Sequence, residues 1–335
     1  MKRALVIKVN QLGDTIVDLP MIEALVLKQG AENVYIITTP IAAQLFTDLL
    51  AKENLLVISR ESFNSAWKSP IRFYSIWKWA KKIKVSSIIV PSDQGYVARL
   101  LARCLKAKNI SEMSNPSVRF SSIGRLKVCP RVDYTMQENN WELLRAHAER
   151  LGWNEIAKKP PRPSITFKLK KRSEEPRGSI LIHSGSSRDA TRWGNVKYID
   201  LATRLAEAGY RVSWIDEGDA QPAHEDIKIL ERRPLLEFAE LASSHILFIG
   251  NNSGPMHLCD VLGIPLLILC GPVAREWDPY WSVNKVLVRD ETLDCQPCET
   301  CDARMVKCGN KAELFACMTR PSVDMIFNQA IKILG

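Results

Sequence analysis

Three polar segments of this sequence contain the residue types needed to bind an anion and to move a proton. They span residues 10–14, 184–194 and 250–257, and each lies between a short apolar run and a stretch with helical periodicity. Ligands of open α/β sheets bind where loops leave the carboxyl ends of the strands. We therefore expect these segments to form the functional site.

The segment 250–257 is the strongest candidate for a phosphate site. A predicted strand precedes it, and a predicted helix follows with Pro255 in its first turn. Free backbone N–H groups and the helix dipole favour an anion at such a helix start. The sequence has no Walker A motif and no Gly-x-Gly-x-x-Gly run, which favours N–H groups and hydroxyls over a P-loop with Mg²⁺. His257 could reach the same anion, or could be an ordinary structural histidine.

Two other groups of side chains fit the same chemistry. Ser186, Ser187 and Arg192 would offer two hydroxyls and one cation to a diphosphate, although a plain polar loop has the same composition. Asp14 follows Gly13 at the start of a predicted helix. Its carboxylate suits proton transfer, and it equally suits capping of that helix N-terminus.

Alternating strand and helix patterns predict two α/β domains with parallel sheets. Four prolines and many charges between residues 158 and 178 predict an interdomain linker. The predicted strands are residues 4–9, 34–38, 55–58, 86–90, 164–168, 179–183, 210–216, 245–249 and 266–270, and the predicted helices are residues 16–28, 71–82, 95–105, 138–151, 197–208, 237–243, 254–262 and 323–334. The expected organisation is a first domain (1–160), a linker (161–178), a second domain (179–320) and a C-terminal helix (321–335).

The composition is that of an ordinary globular chain. Of the 335 residues, 46% are hydrophobic and 25% are charged, which argues against disorder and against a coiled coil. The longest apolar runs fall far below the roughly 18 residues that a membrane-spanning helix needs. The N-terminal apolar stretch contains Lys8 and runs into Asp14 without a cleavage site, unlike a signal peptide. We expect a cytoplasmic protein.

The net charge of +9 is concentrated in the first half of the chain. Residues 1–165 hold 25 Lys and Arg against 14 Asp and Glu, whereas residues 166–335 hold 21 against 23. A basic half indicates an anionic partner such as phospholipid, a phosphorylated glycolipid or nucleic acid, or else a solvated face. Residues 67–82 mix aromatics with cations, and could rest on an anionic bilayer, line a lipid acceptor site or pack into the domain. No nucleic-acid recognition motif accompanies them, so no such partner is expected.

Three stretches together resemble glycosyltransferase family 9, the heptosyltransferases of the lipopolysaccharide inner core. They are VIKVNQLGDTIVDLPMIEAL, HSGSSRDATRWGNVKYIDLATRL and FIGNNSGPMHLCDVLGIPLLILCGP. The resemblance implies the GT-B fold, in which two Rossmann-like, doubly wound α/β domains face a central cleft. It also implies transfer of heptose from ADP-heptose, with inversion at the anomeric carbon and without a divalent metal. In agreement, we find no Asp-x-Asp pair placed as a metal site.

The resemblance also assigns roles to individual residues. Asp14 matches the general base, which takes the proton of the acceptor hydroxyl during an in-line displacement. Glu217 lies where the family has a ribose-binding carboxylate. The other matches would bind the donor, with N–H groups at the helix start and hydroxyls of the preceding loop on the diphosphate; they are Ser186, Ser187, Arg192, Asn252, Ser253, Gly254, Met256 and His257.

Two positions depart from the family pattern. Thr191 stands where the family has a lysine that neutralises the leaving diphosphate, and Arg192 could replace it with a different reach. Asn252 stands where an aspartate contacts the donor sugar, and the amide keeps hydrogen bonds but loses the charge. Both departures concern the identity of the donor sugar more than the reaction class.

Five of the nine cysteines are close together near the C-terminus. Cys295 and Cys298 have the spacing of a metal knuckle, and Cys308 and Cys317 could complete a thiolate site for zinc or iron, with Cys301 as an alternative ligand. Reduced thiols packing a loop, or redox chemistry, are the other interpretations. A cysteine-rich segment recurs here in the family and is not needed for transfer, so no cofactor is expected for catalysis.

The sequence therefore predicts a glycosyltransferase at the cytoplasmic face of the inner membrane. The first domain would bind an anionic glycolipid, a Kdo- or heptose-bearing lipid A acceptor, and the second would bind the ADP-sugar. A family 9 relative with another nucleotide sugar or a protein acceptor is one alternative. An inactive nucleotide-binding scaffold is another.

Overall fold

The computed structural model describes residues 3–91, 95–113, 126–131, 133–153, 155–164, 178–295, 298 and 308–335. The chain divides into two compact units, Met1–Ile165 and Thr166–Gly335, and this division lies inside the predicted linker. We call these units the first and second domains. Of the predicted strand 164–168, only Ser164 is described, and it is not in a strand.

The first domain is a parallel sheet with helices between its strands. Its elements are β1 (Ala4–Lys8), α1 (Leu12–Gln29), β2 (Val34–Thr38), α2 (Pro40–Ala43), β3 (Leu55–Val57), α3 (Arg60–Asn64), α4 (Pro70–Ile83), β4 (Ser87–Val90), α5 (Gly95–Leu105), β5 (Asn109–Met113), β6 (Leu126–Val128) and α6 (Met136–Leu151). Its strand order is β3-β2-β1-β4-β5-β6. Strand β1 is buried along its whole length, which explains its nearly continuous apolar sequence.

The second domain repeats this architecture. Its elements are β7 (Ile180–His183), α7 (Asn195–Glu207), β8 (Val212–Ile215), β9 (Ile227–Leu230), α8 (Leu235–Ala242), β10 (Leu247–Asn251), α9 (Gly254–Leu262), β11 (Leu266–Leu269), β12 (Lys285–Val288), α10 (Ala316–Thr319) and α11 (Val323–Leu334). The order β12-β11-β10-β7-β8-β9 corresponds, in chain order within the domain, to that of the first sheet. Both sheets therefore have the Rossmann strand order.

The order of strands reverses beside the first strand of each domain, between β1 and β4 and between β7 and β10. Ligands of doubly wound sheets bind at this switch point, outside the carboxyl ends of the strands. Lys8 ends β1, His183 ends β7 and Asn251 ends β10. The fold thus brings the predicted loops 184–194 and 250–257 to the same edge of the second sheet.

The C-terminal helix α11 packs within the second domain. Ile326 and Ala330 are fully buried in the same apolar cluster as Tyr198 of α7. The chain before α11 is fixed by two hydrogen bonds, because Trp193 Nε1 and Lys197 Nζ both donate to the carbonyl of Pro321, at 2.8 and 3.0 Å. Within the described ranges, no helix is both long enough and apolar enough to cross a membrane.

Helix α1 begins at Leu12, four residues before the predicted start, because its first turn is polar but well capped. Gln11 and Asp14 form a reciprocal capping box there. The sequence patterns missed strands β5, β6, β9 and β12. Strand β5 illustrates why, since it buries Ser111 and Glu112 and therefore has no apolar run.

Candidate active site

Asn251 joins the two polar loops of the second domain. Its side chain is fully buried at the end of β10. Its Nδ2 donates to the carbonyls of Ser184 and Gly185, at 2.8 and 3.3 Å. Its Oδ1 accepts the N–H of Trp193 at 3.2 Å and the hydroxyl of Tyr198 at 3.0 Å. One amide thus fixes both ends of the loop 184–194 against the start of the next loop.

The start of helix α9 has no side-chain cap. Ser253 is the N-cap residue, but its hydroxyl donates backwards to the carbonyl of Asn251 at 3.2 Å instead of accepting an N–H group. Pro255 has no N–H to satisfy. Gly254 is half-buried and Met256 is buried. Both residues lie in the first turn of the helix, so their N–H groups are at the positive end of the helix dipole, without a side-chain cap. This is the local arrangement that binds phosphate in other helices.

His257 is a buried, neutral side chain. It is 3% exposed, and its ring packs edge-on against Trp277 with ring centroids 6.5 Å apart. Burial lowers the pKa of His257 to about 4, so it carries no charge at neutral pH. Its Nδ1 has no hydrogen-bond partner among the described residues. Any contact of His257 with a phosphate would therefore be that of a neutral imidazole.

The loop 184–194 is held by its own polar side chains. Ser186 Oγ and Thr191 Oγ1 are 2.5 Å apart, and Thr191 donates to the carbonyl of Arg188 at 2.8 Å. Arg192 donates from Nε and Nη2 to the carbonyl of Ser186, at 2.9 and 2.8 Å. Ser187 is exposed. Thr191 thus has a structural role, and Arg192 bends back over the loop while keeping an exposed guanidinium.

The amide of Asn252 anchors a neighbouring loop. Its Nδ2 donates to the carbonyl of Trp277 at 3.1 Å, and its side chain also bonds with the thiol of Cys270. Asn252 is 7% exposed. An aspartate cannot donate to a carbonyl, so the asparagine suits this site better than the acid found in the family pattern.

Glu217 lies beside the loop 184–194 at the same sheet edge. Its Oε1 is 3.0 Å from Nε2 of His183, and its Oε2 pairs with Nη2 of Arg232. Burial raises the pKa of Glu217, but the hydrogen bonds and charges of His183 and Arg232 outweigh it, so the net pKa is lowered. Glu217 is therefore an ionised carboxylate at neutral pH.

Asp14 of the first domain is a capping residue with a half-exposed carboxylate. It is the third residue of α1, and its Oδ2 accepts the N–H of Gln11 at 3.0 Å. The capping interpretation of the sequence is thus correct. It leaves the carboxylate open to solvent, so it is compatible with proton transfer.

A buried ion pair lies one helical turn beyond Asp14. Lys8 Nζ is 2.5 Å from Oδ2 of Asp18, both side chains are fully buried, and Asn140 of α6 donates to Asp18. Burial raises the pKa of Asp18 to about 6, although the charge and hydrogen bond of Lys8 lower it. The negative charge of Asp14 also raises this pKa. Asp14 and Asp18 therefore interact electrostatically.

The four described cysteines of the predicted cluster lie near one another. Burial, followed by the charges of Cys308, Cys295 and Cys298, raises the pKa of Cys317 to about 12. The N–H of Phe315 donates to Cys308 Sγ at 3.2 Å. Cys301 lies outside the described residues. Over the part of the chain that is described, no three His, Cys, Asp or Glu side chains form a set able to hold a metal ion.

The sequence patterns missed two residues that organise the second-domain site, His183 and Asn251. Both are the last residues of buried strands and so lie at the ligand edge of the sheet, and that position was the available signal. The partnership of Lys8 with Asp18 was also missed. Lys8 within the buried strand β1 was the sequence signal for this pair, because a buried charge needs a partner of opposite charge.

Comparison with known proteins identifies relatives of this chain. The chain matches the family model described as glycosyltransferase family 9 (heptosyltransferase) over residues 100–308. An alignment over 113 residues shows 26% identity to lipooligosaccharide heptosyltransferase 2 of Haemophilus influenzae. The alignment covers 30% of this chain and 33% of the curated relative.

Solved structures share the fold over nearly the whole chain. The E. coli heptosyltransferase WaaC with ADP-2-deoxy-2-fluoro heptose matches with a TM-score of 0.68 at 17% identity, covering 98% of this chain and 99% of that one. The E. coli ADP-heptose heptosyltransferase II matches with a TM-score of 0.66 at 16% identity, covering 99% of this chain and 98% of that one. The dodecameric iron-containing heptosyltransferase TibC of E. coli matches with a TM-score of 0.61 at 14% identity, covering 99% of this chain and 76% of that one. The predicted GT-B fold, with its two Rossmann-like domains, is confirmed.

Proposed function

This chain belongs to glycosyltransferase family 9, and on that premise we propose that it transfers heptose from ADP-heptose to a lipopolysaccharide inner-core acceptor. The reaction would be inverting and would need no metal. One observation carries the donor half of this proposal. It is the pair of polar loops that Asn251 joins beside the uncapped start of α9.

The second domain offers a nucleotide diphosphate two kinds of hydrogen-bond donor. The N–H groups of Gly254 and Met256 supply the helix-start donors, and Ser187 supplies an exposed hydroxyl from the adjacent loop. The hydroxyl of Ser186 would join them by exchanging its hydrogen bond to Thr191 for one to the diphosphate. Both elements leave the carboxyl edge of one parallel sheet, where doubly wound proteins bind nucleotides. Solved relatives with the same fold are described with ADP or an ADP-heptose analogue, which supports an ADP-sugar as the donor.

The charge of the leaving diphosphate must be balanced without the lysine of the family pattern. Thr191 is buried and its hydroxyl is already engaged, whereas Arg192 keeps a half-exposed guanidinium on the same loop. We assign the compensating charge to Arg192 and the dipole of α9. Asparagine carries no charge, so the donor sugar would lack the charged contact that an aspartate gives, and the amide N–H of Asn252 is already bonded to the carbonyl of Trp277.

Asp14 would act as the general base. In an inverting transfer, the acceptor oxygen forms a bond to the anomeric carbon while the bond from that carbon to the phosphate oxygen breaks. ADP leaves with the electron pair, and the hydroxyl proton passes to the Asp14 carboxylate. Asp14 is suited to this role because it is half-exposed and ordered by its hydrogen bond to Gln11.

The acceptor is proposed to be an anionic glycolipid at the cytoplasmic face of the inner membrane. The exposed face of helix α4 and the turn before it supports membrane contact. Ile71 and Tyr74 are 82% and 55% exposed and lie three residues apart on α4, and Trp67 is 56% exposed in the separate turn Ala66–Lys68 before it; we call these three residues the aromatic face. Residues 62–91 contain six Lys and Arg and no acid, so this face has the charge that anionic lipid attracts.

The cysteine cluster is proposed to have a structural role outside the transfer reaction, with zinc or iron as its metal. The effect of Cys308, Cys295 and Cys298 on the pKa of Cys317, together with the N–H donated to Cys308, supports a shared site. The described side chains do not by themselves form a ligand set, so no catalytic step is assigned to a metal. The relative TibC is described as iron-containing.

The donor assignment can be tested by thermal shift with ADP, UDP, GDP and their sugars. We expect ADP and ADP-heptose to raise the melting temperature, since they would bind only the folded state. Stabilisation by UDP or GDP alone would contradict the ADP-sugar assignment and would favour a family 9 relative that uses another nucleotide sugar. A second assay would follow ADP release with and without a Kdo-lipid A acceptor. Binding without acceptor-dependent release would favour a protein acceptor, or an inactive nucleotide-binding scaffold if no acceptor works.

A further inference from the structure

His183 and Gly185 surround the carboxylate of Glu217, and the sequence assigned a role to neither. His183 ends β7, and Glu217 follows the adjacent strand β8 by two residues. The distance from His183 Nε2 to Glu217 Oε1 is 3.0 Å, with the two side chains 10% and 15% exposed. This contact is therefore almost completely shielded from water.

Gly185 makes room for the Glu217 side chain. A Cβ atom at this position would lie 2.7 Å from Cδ and 2.8 Å from Oε2 of Glu217, closer than real Cβ contacts allow. Glycine is required at position 185 for space, because the carboxylate of Glu217 lies directly against the backbone of this residue. Any larger residue would push Glu217 out of its present position.

The two carboxylate oxygens of Glu217 have different surroundings. Oε1 faces the buried His183, which must donate from Nε2 because a carboxylate only accepts. Oε2 pairs with Arg232, whose side chain is 66% exposed. A ligand arriving from solvent can displace an exposed arginine, whereas the buried histidine stays. The second domain thus presents a carboxylate that is fixed on its inner side and replaceable on its outer side.

We propose that His183 and Gly185 are positioning residues that hold Glu217 for the two adjacent hydroxyls of the donor ribose, and that they thereby make the site selective for ribonucleotides. This inference rests on the proposed ADP-sugar donor and on the resemblance that matches Glu217 to a ribose-binding carboxylate. A cis-diol has two donors and a carboxylate has two acceptor oxygens, so the pair forms charge-assisted hydrogen bonds when the carboxylate plane is fixed. Without His183, the carboxylate would turn entirely toward Arg232.

The test is calorimetric binding of ADP and 2′,3′-dideoxy-ADP, which lacks both hydroxyls. The unmodified protein is expected to prefer ADP by roughly 10-fold or more, the range for hydrogen bonds to a charged group. His183→Ala and Gly185→Ala should each lower ADP affinity toward that of the dideoxy compound while leaving dideoxy-ADP affinity unchanged. His183→Gln, whose amide can still donate, should restore part of the preference.

His245→Ala is the matched control. His245 is also a buried histidine of the second domain, bonded to Ser213 Oγ at 2.8 Å, but it precedes β10 and so lies at the opposite edge of the sheet. It should destabilise the fold without changing the preference for ADP. Melting temperatures of the unliganded variants separate this effect from selectivity.

Three results would overturn the inference. The first is a His183→Ala protein that retains the full preference for ADP. The second is an equal loss of affinity for both nucleotides, which would assign His183 to general stability. In both cases the unmodified protein still binds ADP, and the proposed function stands. The third is an unmodified protein that does not bind ADP, which would overturn the donor assignment as well.

Discussion

The side-chain amide of Asn251 donates to the carbonyl of Ser184 at 2.8 Å. The two residues are 67 positions apart in the chain, yet this contact aligns the hydroxyl loop with the uncapped start of α9. Two segments that look independent in the sequence thus lie at one edge of the second sheet. The proposed donor site is built on a buried hydrogen-bond network, with a strand-end asparagine at its centre.

Asn251→Asp is expected to destabilise the second domain and to weaken ADP binding. The carboxylate could still accept from Trp193 and Tyr198, but it would face two carbonyls that need a donor. We expect a loss of at least about 2 kcal/mol in the free energy of unfolding, because buried carbonyls would be left unpaired. Urea denaturation and calorimetry would measure both effects. Asn310→Asp is the control, since Asn310 uses its oxygen to accept two N–H groups and an aspartate can do the same.

Substitutions of Asp14 should separate capping from proton transfer. Asp14→Asn keeps an oxygen for the N–H of Gln11, so stability should be nearly unchanged while turnover falls by roughly 10²–10⁴-fold. Asp14→Ala should lose the same activity and, in addition, about 1 kcal/mol of stability. Nucleotide affinity should stay the same in both variants. Normal turnover in Asp14→Asn would remove Asp14 from the proposed mechanism.

Acid should destabilise both domains through buried neutral histidines. Burial lowers the pKa of His257 to about 4, and burial together with Arg150 does the same for His147. As the pH falls below about 6.5, the unfolded chain binds protons that the folded chain does not, so stability is lost between pH 6.5 and 4. At pH 4 and below, each histidine should lower the free energy of unfolding by on the order of 3 kcal/mol.

The measurement is the free energy of unfolding at pH 7 and pH 4.5. His257→Gln and His147→Gln should each flatten this pH dependence. His224→Gln serves as the control, because His224 is partly exposed on a surface loop. A pH dependence that is the same in all three variants would contradict the assignment.

The aromatic face of helix α4 should mediate binding to anionic vesicles. Ile71→Asp would place a charge at the most exposed apolar position of that face. We expect the affinity for phosphatidylglycerol-containing vesicles, measured by sedimentation, to fall by roughly 10-fold or more, because the free energy of burying one aliphatic side chain is lost. Binding should also fall with added salt. Val196→Asp is the matched control, since Val196 is 80% exposed on helix α7 of the second domain. Equal loss in both variants would exclude the aromatic face as the contact surface.

The described cysteines do not form a metal ligand set by themselves, so the proposed structural metal requires that Cys301 complete it. In that case the cluster should bind about one equivalent of zinc or iron. Elemental analysis of protein purified without added metal would measure it. Cys298→Ser and Cys317→Ser should lower the metal content and the melting temperature, whereas Cys104→Ser, at an exposed thiol of the first domain, should change neither. Metal-free protein with an unchanged melting temperature would favour reduced thiols that only pack the loop.

Much of the fold could be predicted from periodicity because its strands are short, buried and apolar. Helices α5, α9 and α11 lie at the predicted bounds, since Gly, Pro and Ser residues mark their ends. Strands β9 and β12 were missed because they are partly exposed and carry lysines. The start of α1 was missed because a capping box, and not an apolar residue, defines it.

Local patterns were sufficient to predict two α/β domains with parallel sheets and the segments that carry Asp14, Ser186 and Gly254, because strand–loop–helix order can be read along the chain. The partners of those segments depend on the three-dimensional fold. Asn251 reaches Ser184, His183 fixes Glu217, and Lys8 meets Asp18 because parallel pairing and helix packing bring distant residues together. Those contacts depend on strand order and register, and neither is encoded in the spacing of residues along one segment.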